Sequence, residues 1–214
     1  GEPISKIFNN REFYSLDFYI NKYTLDPRPE TEFIVEGVKK HIKNRDRKLL
    51  FCDLGTGSGC IIITLLQYYK ASYGIGVDIS KKAVDVAKTN LSKYFLENRL
   101  KIINKNWKDI NNKFDVIVAN PPYIKSSDYN KLDIGIKKYD PKLALVSGVN
   151  GYEKIIELSR IAKKMLKKTS IFVIEIGIHQ REKVEKIFYK IGLDTIDVIK
   201  DLQGIDRVLI IKKR

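Results

Sequence analysis

Residues 48–69 read KLLFCDLGTGSGCIIITLLQYY. A short apolar run closes on Asp53 and Leu54, three glycines follow at alternate positions, and a longer apolar run begins at Cys60. The first run suits a buried strand and the second, with no breaker in it, a buried helix. Between them Gly55, Thr56, Gly57, Ser58 and Gly59 form a strand-to-helix loop. Its glycines allow a sharp turn and let a ligand approach the amides at the helix start. Close packing of a helix on a strand also demands glycine, so the loop is read together with what lies outward from it.

Downstream, YGIGVDIS (73–80) reads as a second strand, and Ser80 as the N-cap of a helix over KKAVDVAKTNLSKYF (81–95). LKIIN (100–104), FDVIVAN (114–120) and SIFVIEIG (170–177) follow as third, fourth and fifth strands, with helices at about 151–167 and 179–191. DTIDVIK and DRVLIIKK are separated by so little chain that they pair antiparallel. Strands alternating with helices in this way make a doubly wound α/β sheet. Upstream, REFYSLDFYINKYTL (11–25) alternates polar and apolar residues around Ser15–Asp17 and predicts a β-hairpin. DPRPET is a rigid link, and a helix starts at Glu30 or Thr31 and runs through Ile42. The one long irregular stretch is 124–149, a length typical of functional loops.

With 214 residues the chain suffices for one well-buried domain, and its 43% hydrophobic and 31% charged composition is that of a globular protein. No run approaches the ~20 apolar residues of a membrane span. Cys52 and Cys60 lie in apolar runs, as reduced thiols of a cytoplasmic protein do, and two Cys with two His make no credible zinc site. The net charge of +14 permits an acidic partner, but the lysines are spread along the chain instead of forming one stripe.

The glycine loop gains meaning from Asp78, at the end of the second strand, where a carboxylate can accept hydrogen bonds from both ribose hydroxyls of an adenosine. The spacing is G-x-G-x-G with an Asp two residues ahead, and no lysine follows for a nucleotide triphosphate. This form resembles the S-adenosylmethionine loop of class I methyltransferases, whose seven-stranded sheet also ends in an antiparallel hairpin. Trp107 would then flank the adenine, or else serve as a half-buried packing aromatic.

The fourth strand runs into VIVANPPYIK (116–125). Two prolines fix the path of the chain there. Transfer of a methyl group to an amide nitrogen needs that nitrogen held with its π-face toward the methyl, because its lone pair is delocalised. Asn120 can accept one N–H through its side-chain oxygen, and the carbonyl of Pro121, aimed by Pro122, can accept the other. Tyr123 can stack on the planar group. No acid/base pair is required. The corner suits adenine, guanine or glutamine NH2 groups alike.

REFYSLDFYINKYTLDPRPETEFIVE, DLGTGSGCI, NPPYI, YDP..AL..G..G, EIG..Q and DLQGIDRVLI together resemble the HemK/PrmC family over nearly the whole chain. The resemblance implies a class I, Rossmann-like, seven-stranded mixed sheet with an N-terminal β-hairpin. It implies methyl transfer from S-adenosylmethionine, leaving S-adenosylhomocysteine, to the GGQ glutamine of class 1 peptide-chain release factors. Gly55, Thr56, Gly57, Ser58, Gly59, Asp78, Trp107 and Asn120 would hold the cofactor. Asn120, Pro121, Pro122 and Tyr123 would act on the substrate, with Arg28 and Glu30 at the pocket's edge. The expected enzyme is a monomer in the cytoplasm with no membrane or direct nucleic-acid requirement. Residues 1–30 would be linker and hairpin and 31–214 the methyltransferase domain, the family's helical N-terminal domain being absent ahead of Gly1. Asp26 stands where a hydrophobic residue is expected. YDPKLAL (139–145) reads either as a packed loop or as a substrate contact, and Glu175 as a pocket wall or a satisfied structural carboxylate. The competing readings are a methyltransferase for an exocyclic amino group of DNA or rRNA, and a non-catalytic binding module.

Overall fold

A computed structural model describes residues 1–214. A short helix α1 (Ile4–Ile7) leads into the hairpin β1 (Asn10–Phe13) and β2 (Leu16–Tyr19), then α2 (Glu32–His41). The core continues with β3 (Leu50–Leu54), α3 (Cys60–Tyr68), β4 (Tyr73–Asp78), α4 (Lys81–Lys93), β5 (Leu100–Asn104) and β6 (Phe114–Ala119). After β7 (Ile124–Lys125), α5 (Ile134–Tyr139), α6 (Lys142–Leu145) and β8 (Val146–Gly148) come α7 (Glu153–Met165), β9 (Leu166–Glu175) and α8 (Arg181–Tyr189). The chain closes with β10 (Leu193–Lys200) and β11 (Asp206–Lys213).

Seven strands form one sheet in the order β10-β11-β9-β6-β3-β4-β5. β11 runs antiparallel to both neighbours, and the other core pairings are parallel. Side-chain alternation shows why both faces must be covered. In β6, Val116 and Val118 enter one core with α2, α3 and the hairpin, while Ile117 and Ala119 enter a second core with α7 and α8. α2 lies close on the sheet because Gly37 faces it; a Cβ there would come within 2.8 Å of Ile210 Cδ1 and 3.0 Å of Ile199 Cδ1. No helix is long and apolar enough to cross a membrane.

The N-terminal hairpin forms, but its turn is Tyr14–Ser15 instead of Ser15–Asp17. Both turn residues have positive φ, the form that matches strand twist in a two-residue hairpin. Glu32 on α2 accepts the Tyr14 amide at 2.8 Å, a tertiary hold that supports the left-handed backbone. Phe13 and Phe18 are buried in the main core, so the hairpin is part of that core rather than a tether to it. Asn90 of α4 fastens it further, accepting from the Tyr19 amide and donating to the carbonyls of Tyr19 and Ser58.

Residues 124–149 are not irregular. β7 and β8 pair in parallel, and a 3-10 turn, α5 and α6 fill the space between them. These elements are too short to show periodicity, and they depend on local caps and one buried acid. Asp133 caps α5 by accepting from the Gly135 amide. Asp140 is buried and binds Arg28 at 2.6 Å, Lys6 Nζ at 3.3 Å and the Asp26 amide at 3.1 Å. Asp26 is buried beside it, accepting from Ser5 Oγ at 2.7 Å and lying 3.6 Å from Arg11 Nε. Its carboxylate therefore belongs to the ion cluster that pins the N-terminal segment, which is why an acid is tolerated at that position.

Candidate active site

β3 is the strand where the winding reverses, and a cleft opens at the carboxyl ends of β3, β4 and β6. Gly55, Thr56, Gly57, Ser58, Asp78, Ile79, Trp107, Asn120 and Pro122 all line it. Gly55, Gly57 and Gly59 have φ of 83°, 55° and 82°, values that only glycine takes without strain. At Gly59 a Cβ would also come within 3.0 Å of Ile63 Cδ1. The Gly55 and Thr56 amides both donate to the Val77 carbonyl at 2.9 Å, and the Gly57 amide donates to Asp78 Oδ2 at 2.9 Å. The loop is thus tied to the end of β4.

Asp78 also accepts the Ser80 amide on Oδ1. Burial pushes its carboxyl up, against the pull of the Ser80 and Gly57 amides. A carboxylate has about four lone-pair sites, so two remain for a diol. Trp107 Nε1–H donates to Glu157 Oε1, which fixes the plane of the indole at the cleft wall, and Lys154 Nζ sits 5.6 Å from the ring centre. Under the loop, Asp53 is fully buried; Oδ2 accepts from Thr56 Oγ1 at 2.7 Å while Oδ1 has no partner. Burial pushes its carboxyl up to about 7. An unpaired buried carboxyl oxygen, a half-used acid and a glycine cradle fit a cationic adenosine derivative.

Asn120 follows β6 directly. Its Nδ2 donates to Thr31 Oγ1 at 3.0 Å, and Thr31 Oγ1 donates to Glu175 Oε2 at 2.7 Å. The Pro121 carbonyl accepts no hydrogen bond from the chain. Tyr123 does not line the cleft; its ring packs on Gly177 and its hydroxyl lies 3.5 Å from Glu175 Oε1. Burial, then the Glu175 charge, pushes its phenol up. Gln180 clamps this corner, donating to the Tyr123 and Gly151 carbonyls and accepting the Gly177 amide.

Residues 45–190 match the family model for a methyltransferase domain. The release factor glutamine methyltransferase of Agrobacterium fabrum is 37% identical over all of this chain, which spans 75% of that protein. The chain belongs to the release factor glutamine methyltransferase family. It is also 38% identical to the bifunctional methyltransferase of Rickettsia prowazekii, over 97% of this chain and 44% of that protein. Among solved structures, magnesium protoporphyrin IX methyltransferase from Synechocystis PCC 6803 with bound SAM superposes with a TM-score of 0.58 at 18% identity. That match covers 86% of this chain and 78% of the other. The fold is the class I, Rossmann-like methyltransferase fold.

Of the residues expected at a release factor glutamine methyltransferase site, Gly55, Thr56, Gly57, Ser58, Asp78, Trp107, Asn120 and Pro122 meet in the cleft, while Gly59 is outside its lining and faces Ile63 and Ala87. Pro121 is buried, and it, Arg28 and Glu30 are outside the cleft's lining. Arg28 is engaged with Asp140, so YDPKLAL is anchored through its acid, while Pro141, Leu143 and Ala144 face the cleft. The sequence marks Thr31 only as a helix start within PRPET, and Asp53 and Gln180 carry no assigned role. Asp53 and Gln180 stand inside the motifs DLGTGSG and EIG..Q, a signal for their place but not for their partners.

Proposed function

We propose that this protein transfers a methyl group from S-adenosylmethionine to the side-chain amide nitrogen of the GGQ glutamine in class 1 release factors. S-adenosylhomocysteine is the second product, and the enzyme acts as a monomer in the cytoplasm. The observation that carries the reading is the pair of acceptors at the end of β6: the Asn120 oxygen and the Pro121 carbonyl, neither used within the chain, beside a cleft that fits an adenosine. The relatives' names support glutamine as the substrate.

Asp78 would hold the ribose, Trp107 the adenine face, and Asp53 the cationic end through the glycine loop. When bound, the cofactor supplies an electrophilic methyl on sulfur, whose C–S bond breaks with its electron pair going to sulfur. Asn120 and Pro121 accept both N–H groups of the substrate amide, fix its plane, and stabilise the positive charge that develops on nitrogen. The surplus proton leaves the nitrogen after transfer. Tyr123, held through Gln180 and Glu175, keeps the corner rigid.

Labelled methyl is expected in a purified release factor and absent when GGQ is changed to GGA. Label in DNA or rRNA with an unlabelled release factor would instead establish the exocyclic-amine reading.

A further inference from the structure

Asn120 is useful only if its oxygen, not its NH2, meets the substrate. An amide can turn over by half a rotation with little change in shape, so something must choose its orientation. The choice is made by two residues outside the corner. Glu175 at the end of β9 is 2% exposed and Thr31 ahead of α2 is 3% exposed. An ionised carboxylate only accepts. The single hydroxyl proton of Thr31 is therefore committed to Glu175 Oε2, at 2.7 Å. Thr31 Oγ1 then has only acceptor capacity left, and it meets the NH2 end of Asn120 at 3.0 Å. Asn120 Oδ1 is left for the cleft.

We infer that Thr31 and Glu175 are positioning residues that set which end of the Asn120 amide faces the substrate. This inference rests on the reading of Asn120 as the acceptor of a substrate N–H. Reversing both hydrogen bonds would turn NH2 donors toward an NH2 substrate, leaving it without an acceptor. A protonated Glu175 permits that reversal, because it can donate to Thr31, which then donates to Asn120 Oδ1. Burial pushes the Glu175 carboxyl up to about 7; the Thr31 hydroxyl, Arg207 on β11 and Tyr123 draw it down, and Glu30 on the connector raises it.

The test compares Thr31→Val, Thr31→Ser and Glu175→Gln with wild type, using release factor and S-adenosylmethionine. Thr31→Val keeps the shape and is expected to lower kcat about 30-fold or more, the scale of a lost polar orientation. Its KM for release factor and its cofactor Kd should stay within about threefold, and Thr31→Ser should restore kcat to within about threefold of wild type. Wild-type kcat should fall on the acid side of its pH profile, and Glu175→Gln should flatten that limb. Equal loss in the Val and Ser variants, an unimpaired Val variant, or an unchanged acid limb in Glu175→Gln would overturn the inference. Should the Val variant not fold, the acid limb decides.

If wild type leaves release factor unlabelled, the substrate reading fails, yet the relay remains testable without substrate. The side-chain amide 15N–1H signals of Asn120 should titrate with Glu175 in wild type and not in Glu175→Gln. Signals that ignore pH in wild type would reject the relay alone.

Discussion

At the scale of single residues, the site's chemistry is concentrated in side chains whose neighbours already dictate their orientation. Asn120→Ala removes one of two acceptors and leaves the glycine loop untouched. Turnover should fall by at least about 100-fold, as with the loss of a key transition-state hydrogen bond. Calorimetry should show cofactor binding nearly unchanged; unchanged turnover would reject its role. Asp78→Ala should do the reverse. It removes the ribose acceptor and also frees the Gly57 and Ser80 amides, so cofactor Kd should rise about 100-fold, in line with two lost charge-assisted hydrogen bonds. Asn120, Asp78 and the three glycines were legible because each carries its signal in the few residues beside it. Thr31 was not, since its meaning comes from Asn120 and Glu175, which lie 89 and 144 residues away in sequence.

At the scale of elements, one buried acid organises the segment that roofs the cleft. Asp140 joins α5 and α6 to the N-terminal region through Lys6, Arg28 and the Asp26 amide. Lys6 is itself buried, giving hydrogen bonds to the Asn21 and Thr24 carbonyls, and burial lowers its ammonium pKa. The Arg28 arm is partly exposed and contributes little. Asp140→Ala would strand the Lys6 charge, and such breaks cost about 3–5 kcal/mol. Urea unfolding should register that loss, and amide exchange over 134–145 should quicken; a change under about 0.5 kcal/mol would show that the cluster is not structural. The sequence does not reveal these elements, because helices of six and four residues carry no usable periodicity. The hairpin was legible from alternation, but its turn moved by one residue because Glu32 on a separate element holds Tyr14.

At the scale of the whole molecule, two fully buried carboxyls at the strand ends set a pH dependence. Asp53 and Glu175 are both pushed up to about 7, chiefly by burial. The folded protein therefore binds more protons than the unfolded chain between the ordinary carboxylate range and about 7, and its stability falls as pH rises through that window. Tm of the cofactor-free protein should be higher at pH 5.5 than at pH 8, and Asp53→Asn should remove about half of the difference if the two sites act independently. A Tm that rises from pH 5.5 to pH 8 would show that these carboxyls are ionised without penalty. By itself the sequence determined the doubly wound sheet, the closing antiparallel hairpin, the glycine loop with Asp78 and the Asn-Pro-Pro-Tyr corner, because periodicity, glycine and proline act on neighbouring residues. Only the tertiary structure decided which carboxyls are buried, where Arg28 spends its charge, and which end of the Asn120 amide faces the cleft. Those depend on donors and acceptors brought together by strands and connectors far apart in the chain, and local residue patterns do not encode their partners.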